Sequence, residues 1–284
     1  MDLGFVILHY KVFEMTERCI DTIIKIFEKK DIHIVVVDNG SANYSGEKLR
    51  EKYHYNTMVD VILCDENLGF ACGNNIGYKY IVEKYNPQYI VVMNNDVIIN
   101  DNKFIDKIDE IYKNTGFAVL GPDIINPIYL NHQNPISDRA RTIEEVKKRI
   151  HIFEIRYRYA IVFWLISSVK KIVVKNETIR EKDYKHSKEN VVLHGACLIL
   201  SRDFITNRKY CFNPNTFLYH EEDILFFECM KQGLKMVYSP KLCVKHLEDV
   251  ATDATLKSGY KKMKIRNKWL SESAKVLLGV ITEE

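Results

Sequence analysis

Apolar positions along the first hundred residues follow two alternating patterns. Continuous runs at 4–9 (GFVILH), 32–37 (IHIVVV), 59–63 (VDVIL) and 89–93 (YIVVM) read as buried strands. Between them, helical spacing predicts helices over 14–29, through Cys19, Ile20, Ile23, Ile24 and Phe27, and over 73–85. Val/Ile runs separated by helices predict a mostly parallel sheet covered on both faces, with right-handed crossovers. Farther on, 101–114 reads as a helix and 117–120 as a strand ended by a Gly121-Pro122 turn. Residues 126–140 read as an Asn- and Pro-rich loop, and 191–200 (VVLHGACLIL) returns to the strand pattern. Residues 221–233 read as a helix stopped by Gly233, 235–238 as a short strand before Pro240, and the last 25 residues as a basic amphipathic helix.

Composition narrows the class. With 284 residues, 46% hydrophobic and 28% charged, the chain has enough apolar surface to exclude a disordered protein. A net charge of +3 is too even to argue for nucleic-acid binding. The seven cysteines form no C-x-x-C pair and sit mostly in apolar runs, as reduced core residues of a cytosolic protein would. The N-terminal apolar run is too short for a secretory signal, and no run of about 18 apolar residues predicts a spanning helix.

The chemistry gathers at predicted strand ends, where open α/β sheets bind ligands. The first end carries His9-Tyr10, the second Asp38-Asn39-Gly40-Ser41, the fourth Asn94-Asn95-Asp96. A carboxylate at Asp38 suits the imide N–H of uracil or thymine; Asn-Gly is equally a turn signal. Asn67 to Gly77 (NLGFACGNNIG) follows a strand and opens a helix, but has neither P-loop nor G-x-G-x-x-G spacing. Its small residues permit close backbone approach to a ligand, or close helix–sheet packing. Asp96, delivered by a hydrophobic strand, could hold Mg²⁺ or Mn²⁺ against a diphosphate, or cap a turn. Glu221-Glu222-Asp223 opens an amphipathic helix. Those acids could complement its dipole, or one could be a general base. His246, ending the next apolar segment, could be structural or a metal ligand.

Taken in order, these motifs resemble the inverting nucleotide-sugar glycosyltransferases of family 2, especially their rhamnosyltransferase-like branch. The resemblance covers about 4–125 and 190–248 and implies a GT-A type α/β fold. It treats 1–284 as a single domain: a nucleotide-sugar-binding half (1–125), a basic helical insertion (126–190), and an acceptor and catalytic half with the C-terminal helix (191–284). It implies that Tyr10, Asp38, Asn39, Asn67, Gly69, Asn75, Asn94, Asn95, Asp96 and Arg266 serve the donor, a UDP- or dTDP-sugar with rhamnose one candidate. It further implies Asp96 and His246 as metal ligands and Glu222 or Asp223 as base. His194-Gly195-Ala196-Cys197 with Arg202 resembles the strand before the acceptor site. Three positions depart from the family pattern. Asn94-Asn95-Asp96 keeps one carboxylate of an Asp-x-Asp motif, His9 replaces an Asn, and the acidic pair has become a triplet.

Residues 141–185 lie outside the resemblance. They hold twelve Lys/Arg against six acids around the aromatic, apolar segment 157–166. That pattern suits a helix in an anionic bilayer interface, a solvated helix pair, or a homodimer contact. A membrane contact there would suit a peripheral protein at the inner face of the plasma membrane with a lipid-linked glycan acceptor; the task of surface polysaccharide synthesis is what the resemblance implies. Two rival functions are a non-catalytic nucleotide-sugar-binding protein and a sugar-phosphate nucleotidyltransferase. The latter normally has a Gly-rich loop where His9-Tyr10-Lys11 stands.

Overall fold

The structure, a computed structural model, describes residues 1–170, 183–247 and 259–283. In chain order it forms β1 (Leu3–His9), α1 (Phe13–Ile26), β2 (Ile32–Asp38), α2 (Ser45–Lys52), β3 (Val59–Leu63) and α3 (Gly69–Tyr85). Then come β4 (Tyr89–Asn94), β5 (Val97–Ile99), α4 (Phe104–Thr115), β6 (Val119–Ile125), α5 (Ile143–Arg158) and α6 (Ala160–Lys170). The last third adds β7 (Lys188–Glu189), β8 (Cys197–Ser201), α7 (Arg202–Asn207), α8 (Glu221–Lys231), β9 (Met236–His246) and α9 (Tyr260–Thr282). Of the basic stretch read from sequence, 171–182 lie outside the described residues.

One sheet carries all the strands in the order β3-β2-β1-β4-β8-β6-β9-β5, with β7 also on β9. The first four strands pair in parallel, as the Val/Ile runs predict. The rest of the sheet is mixed. β8 runs antiparallel to β4 and β6, and β9 is parallel to β6 but antiparallel to β5 and β7. Side chains alternate between the faces. Phe5, Ile7, Ile34 and Val36 meet α1 and α4 on one face, while Val6, Val35 and Val37 meet α3 and α8 on the other. A smaller cluster of Val146, Ile224 and Leu277 ties α5, α8 and α9 together.

Two predicted strand ends are corrected. β6 continues through Gly121-Pro122, and β9 runs through Pro240 to His246. The β6–β9 register jumps from Pro122↔Ser239 to Asp123↔Cys243, so Pro240 sits in a bulge where the ladder needs no N–H. The 191–200 strand begins only at Cys197. α5 starts on a capping box between Thr142 and Glu145. All seven cysteines are free; four are buried and Cys243 is exposed.

Candidate active site

The register places the polar strand ends side by side. His9 is opposite Asp38, and Leu8 is opposite Asn94. Because β8 is antiparallel to β4, it enters the sheet at that same edge, where the Asn94 N–H donates to the Ala196 carbonyl (2.9 Å). Pairing of β5 with β9, with Val97 opposite His246, brings the end of β9 to the residue after Asp96.

Asp96 and His246 are both buried, with Asp96 Oδ1 3.2 Å from His246 Nε2. The other ring nitrogen, Nδ1, lies 2.8 Å from Gln133 Oε1. An amide oxygen only accepts, so Nδ1 carries the proton in the neutral ring and Nε2 presents a lone pair. Asp96 Oδ1 accordingly makes no hydrogen bond despite the close approach. Two electron-pair donors facing each other in a buried place fit a divalent cation, with Gln133 as the outer partner that fixes the imidazole. They supply two ligands. Among the described residues no cluster of three or more His, Cys, Asp or Glu could hold a metal. A Mg²⁺ or Mn²⁺ here would therefore draw its remaining ligands from phosphate and water.

Across this edge lies the acidic triplet, and the structure separates its members. The Glu222 carboxylate accepts from the Gly195 N–H (3.3 Å), beside the Ala196 carbonyl bound to Asn94. Burial pushes Glu222 above the ordinary glutamate range, the Gly195 hydrogen bond lowers it in part, and Asp223 raises it further. Asp223 is engaged elsewhere. Arg141 Nε donates to its Oδ2 (3.0 Å), and His220 Nδ1 lies 3.0 Å from the same oxygen. Burial alone would raise Asp223, but the His220 and Arg141 contacts outweigh it and hold the carboxyl below its usual range. Glu221 is buried and pushed upward, by burial first and then by the charge of Glu222. Sequence reasoning missed Arg141, which lies 82 positions from its partner. The capping box just after it was the one local signal.

The back wall is a neutral network. Asn95 Nδ2 donates to Thr16 Oγ1 (2.8 Å), which lies 2.6 Å from His9 Nδ1. His9 Nε2 is 2.8 Å from Ser45 Oγ, which donates to Asn43 Oδ1 (2.7 Å). Since Ser45 spends its proton on Asn43, it accepts from His9 Nε2, leaving Nδ1 to accept from Thr16. Burial lowers the His9 pKa to about 4, which agrees with a neutral ring.

Several residues expected to line the donor pocket hold protein to protein instead. Asn75 clamps Phe212 with both amide ends, accepting from its N–H (3.0 Å) and donating to its carbonyl (2.8 Å). Asn39 donates to Asn67 Oδ1 and the Gly69 carbonyl (both 3.1 Å) and accepts from the Leu68 N–H (2.9 Å), pinning the 67–69 turn. At Gly69, φ +82°, the chain passes close to other backbone: a Cβ there would lie 2.4 Å from the Phe217 carbonyl oxygen. The Phe70 N–H donates to that same oxygen (2.7 Å), so the 67–77 stretch docks onto the approach to α8. Asn95 belongs to the back wall. Asp38 is buried, with its oxygens toward the Ser41 N–H (3.3 and 3.4 Å) and the start of α2. Tyr10 is half-buried beneath the Lys11 ammonium (4.6 Å). Arg266, from α9, lies 5.8 Å from the Tyr219 ring, beside the left-handed Tyr219-His220 turn that opens α8. Arg202 binds Asn86 and the Pro87 carbonyl, before β4 and so at the opposite edge.

Comparison with known proteins agrees with this architecture. The chain is 22% identical over 235 residues to the "Low-salt glycan biosynthesis hexosyltransferase Agl10" of Haloferax volcanii, covering 83% of this chain and 64% of the relative. It therefore spans less than two thirds of that protein. The fold is similar to that of GalNAc-T7, solved with UDP, GalNAc and Mn²⁺ (TM-score 0.56, 15% identity, 87% of this chain and 44% of that one). It is also similar to residues 1–349 of S. aureus TarS in complex with UDP-GlcNAc (TM-score 0.56, 11% identity, 91% and 62%). The sequence profile of Glycosyl transferase family 2 matches residues 5–171. That match takes in more than half of the 284 residues, and the chain belongs to glycosyl transferase family 2.

Proposed function

We propose that this protein transfers a sugar from a nucleoside-diphosphate donor, a UDP- or dTDP-sugar, to a hydroxyl of a glycan acceptor, with inversion at the anomeric carbon. The carrying observation is the opposition of Glu222, seated on Gly195, to the buried Asp96–His246 pair across the Asn94–Ala196 hydrogen bond. Glu222 takes the acceptor proton as the hydroxyl oxygen bonds to the anomeric carbon from the face opposite the nucleotide. The bond from that carbon to the diphosphate oxygen breaks, and its electron pair leaves with the nucleotide. Arg266 and the divalent cation held by Asp96 and His246 would offset the charge that develops there. Asp223, tied to Arg141 and His220, positions the start of α8.

UDP and Mn²⁺ in the GalNAc-T7 structure, and UDP-GlcNAc in that of TarS, support this donor class. The glycan biosynthesis role of the Haloferax relative supports a glycan acceptor. A lipid-linked acceptor would meet the enzyme at the cytoplasmic face of a membrane.

The test is a thermal-shift panel of UDP, dTDP, GDP and CMP, each with and without Mn²⁺. A ligand that binds only the folded state raises the midpoint. UDP or dTDP should raise it, and more with Mn²⁺. Asp96→Ala should lose the metal-dependent part while keeping its ligand-free midpoint. No shift with any nucleotide, or an undiminished shift in Asp96→Ala, would overturn the assignment.

A further inference from the structure

We propose that α5, α6 and α9 form a surface that seats the protein on an anionic lipid bilayer, with α6 lying in the headgroup–acyl boundary. α6 is apolar nearly all round (AIVFWLI at 160–166), yet it stands on the outside of the molecule. Ile161, Val162, Trp164, Leu165 and Ile166 are each 37–55% exposed. A helix apolar on every side normally belongs inside a protein or a membrane, and a contiguous exposed apolar patch marks an interaction surface. The eleven described residues of α6 are too few to span, and no helix among the described residues is long and apolar enough to cross a membrane. A short helix in this state lies in the plane of the interface.

Charge decides what covers it. α5 carries five Lys/Arg against three acids, and α9 six against one. Both helices adjoin α6. Between them runs an open groove lined by Tyr157, Arg158, Lys264, Lys268 and Lys275, with Glu154 and Glu272 on its walls. The acids are engaged, Glu154 with Lys275 (2.7 Å) and Glu272 with Lys268 (3.8 Å), which leaves the groove net positive. Tyr157 and Tyr159 are exposed where α5 meets α6, as amphipathic rings at headgroup level would be. Apolar side chains flanked by cations and interfacial aromatics complement phosphate headgroups over acyl chains. A second copy of this chain would bring its own cations against them.

The surface shares its elements with the candidate site. Arg141, just before α5, holds Asp223 of α8, and Arg266 of α9 lies against the Tyr219 turn. A bilayer under α6 would therefore lie beside the helix that carries Glu222.

The experiment is co-sedimentation of the full chain with phosphatidylcholine vesicles, with and without phosphatidylglycerol, at low and high salt, with tryptophan emission read in parallel. Partitioning should be about ten-fold or more stronger on the anionic vesicles and fall with salt. Emission should shift to the blue on binding, and the shift should vanish in Trp164→Phe. The Ile161→Ser, Leu165→Ser double variant should lose about ten-fold or more in partitioning. Lys148→Glu with Arg156→Glu should lose the preference for anionic lipid. All four positions are exposed, so an unchanged thermal midpoint certifies the fold. Absence of wild-type binding to anionic vesicles would overturn the proposal. So would a dimer in sedimentation velocity that the double serine variant splits while vesicles bind neither protein, because a second copy would then cover the face. Vesicle binding is read without donor or turnover, so it stands or falls apart from the proposed reaction.

Discussion

Acidification should destabilise this protein through one buried side chain, His9. Its ring is fully buried and its pKa falls from 6.5 to about 4. A lowered histidine pKa means that the unfolded chain binds the proton first. The stabilisation from keeping His9 neutral is complete above pH 6.5 and is lost as the pH falls from 6.5 to about 4. Two and a half pKa units correspond to about 3.4 kcal/mol in the limit, and to about 2.5 kcal/mol near pH 4.5. The structural event is specific. Protonation places a charge in a buried ring and turns Nδ1 into a second donor, so the Thr16 hydroxyl must turn its proton from His9 to the Val12 carbonyl (3.3 Å). The assay compares urea unfolding of wild type and His9→Asn at neutral pH and near pH 4.5. Asn retains hydrogen-bonding groups but does not titrate. Carboxylates remote from His9 contribute equally and cancel in the difference; Asp38, whose Oδ1 lies 3.9 Å from His9 Nε2, is removed from it by carrying Asp38→Asn in both proteins. The protein that keeps His9 should lose about 2.5 kcal/mol more than the variant on acidification. Equal losses in the two proteins would refute the neutral buried ring.

Four further outcomes follow from the site. Glu222→Gln should lower kcat by about 10²–10⁴, read as nucleoside diphosphate release, whereas Asp223→Asn should lower it by about ten-fold or less; the reverse ranking would move the base to Asp223. In wild type the rate should rise with pH through a Glu222 pKa above the ordinary glutamate value, because only the ionised form accepts a proton. Arg141→Met should cost about 1–3 kcal/mol of stability by removing one partner of a largely buried pair, measured by urea unfolding. Gly69→Ala should cost about 2–4 kcal/mol, since it combines a left-handed backbone with a Cβ driven into the Phe217 carbonyl; an unchanged thermal midpoint would contradict that packing.

The parallel half of the sheet is legible in the sequence because β1, β2 and β4 are buried on both faces and so almost wholly apolar, while the half-buried β3 still keeps Val59, Val61, Ile62 and Leu63 around Asp60. β6 and β9 were truncated in the reading because Pro122 and Pro240 look like strand breakers. Only the partner strand shows that Pro122 pairs with Ser239 and that the bulge after it excuses Pro240 from the ladder. α2 went unread because one apolar residue, Leu49, anchors it. Site residues were legible as types at strand ends, but not by the direction of their side chains. Asn39, Asn75 and Asn95 look like ligand contacts in one dimension, yet each spends its amide on neighbouring protein. Gln133 carries no local signal, and Arg141 only the capping box after it, because each acts on a partner at least 82 positions away.

The antiparallel placement of β8 explains how the parallel half-sheet acquires a carboxylate, Glu222, at its polar strand ends. A parallel strand beside β4 would enter at the far edge, and only the loop after it would reach the strand ends. Running the other way, β8 enters at the site edge, so the preceding residues His194, Gly195 and Ala196 lie against Asn94. Gly195 then offers its N–H to Glu222 where a side chain would crowd the carboxylate: a Cβ would stand 3.0 Å from Glu222 Oε1. The Asp96–His246 pair rests on another antiparallel contact, Val97↔His246, set by backbone register alone. The two halves of the site are therefore held differently. The Asp96–His246 pair is placed by the sheet and its imidazole oriented by Gln133, whereas Glu222 depends on a loop hydrogen bond of 3.3 Å and on α8, itself tied to α5 through Arg141 and Asp223. Displacing α5 should therefore move Glu222 and leave the Asp96–His246 pair in place.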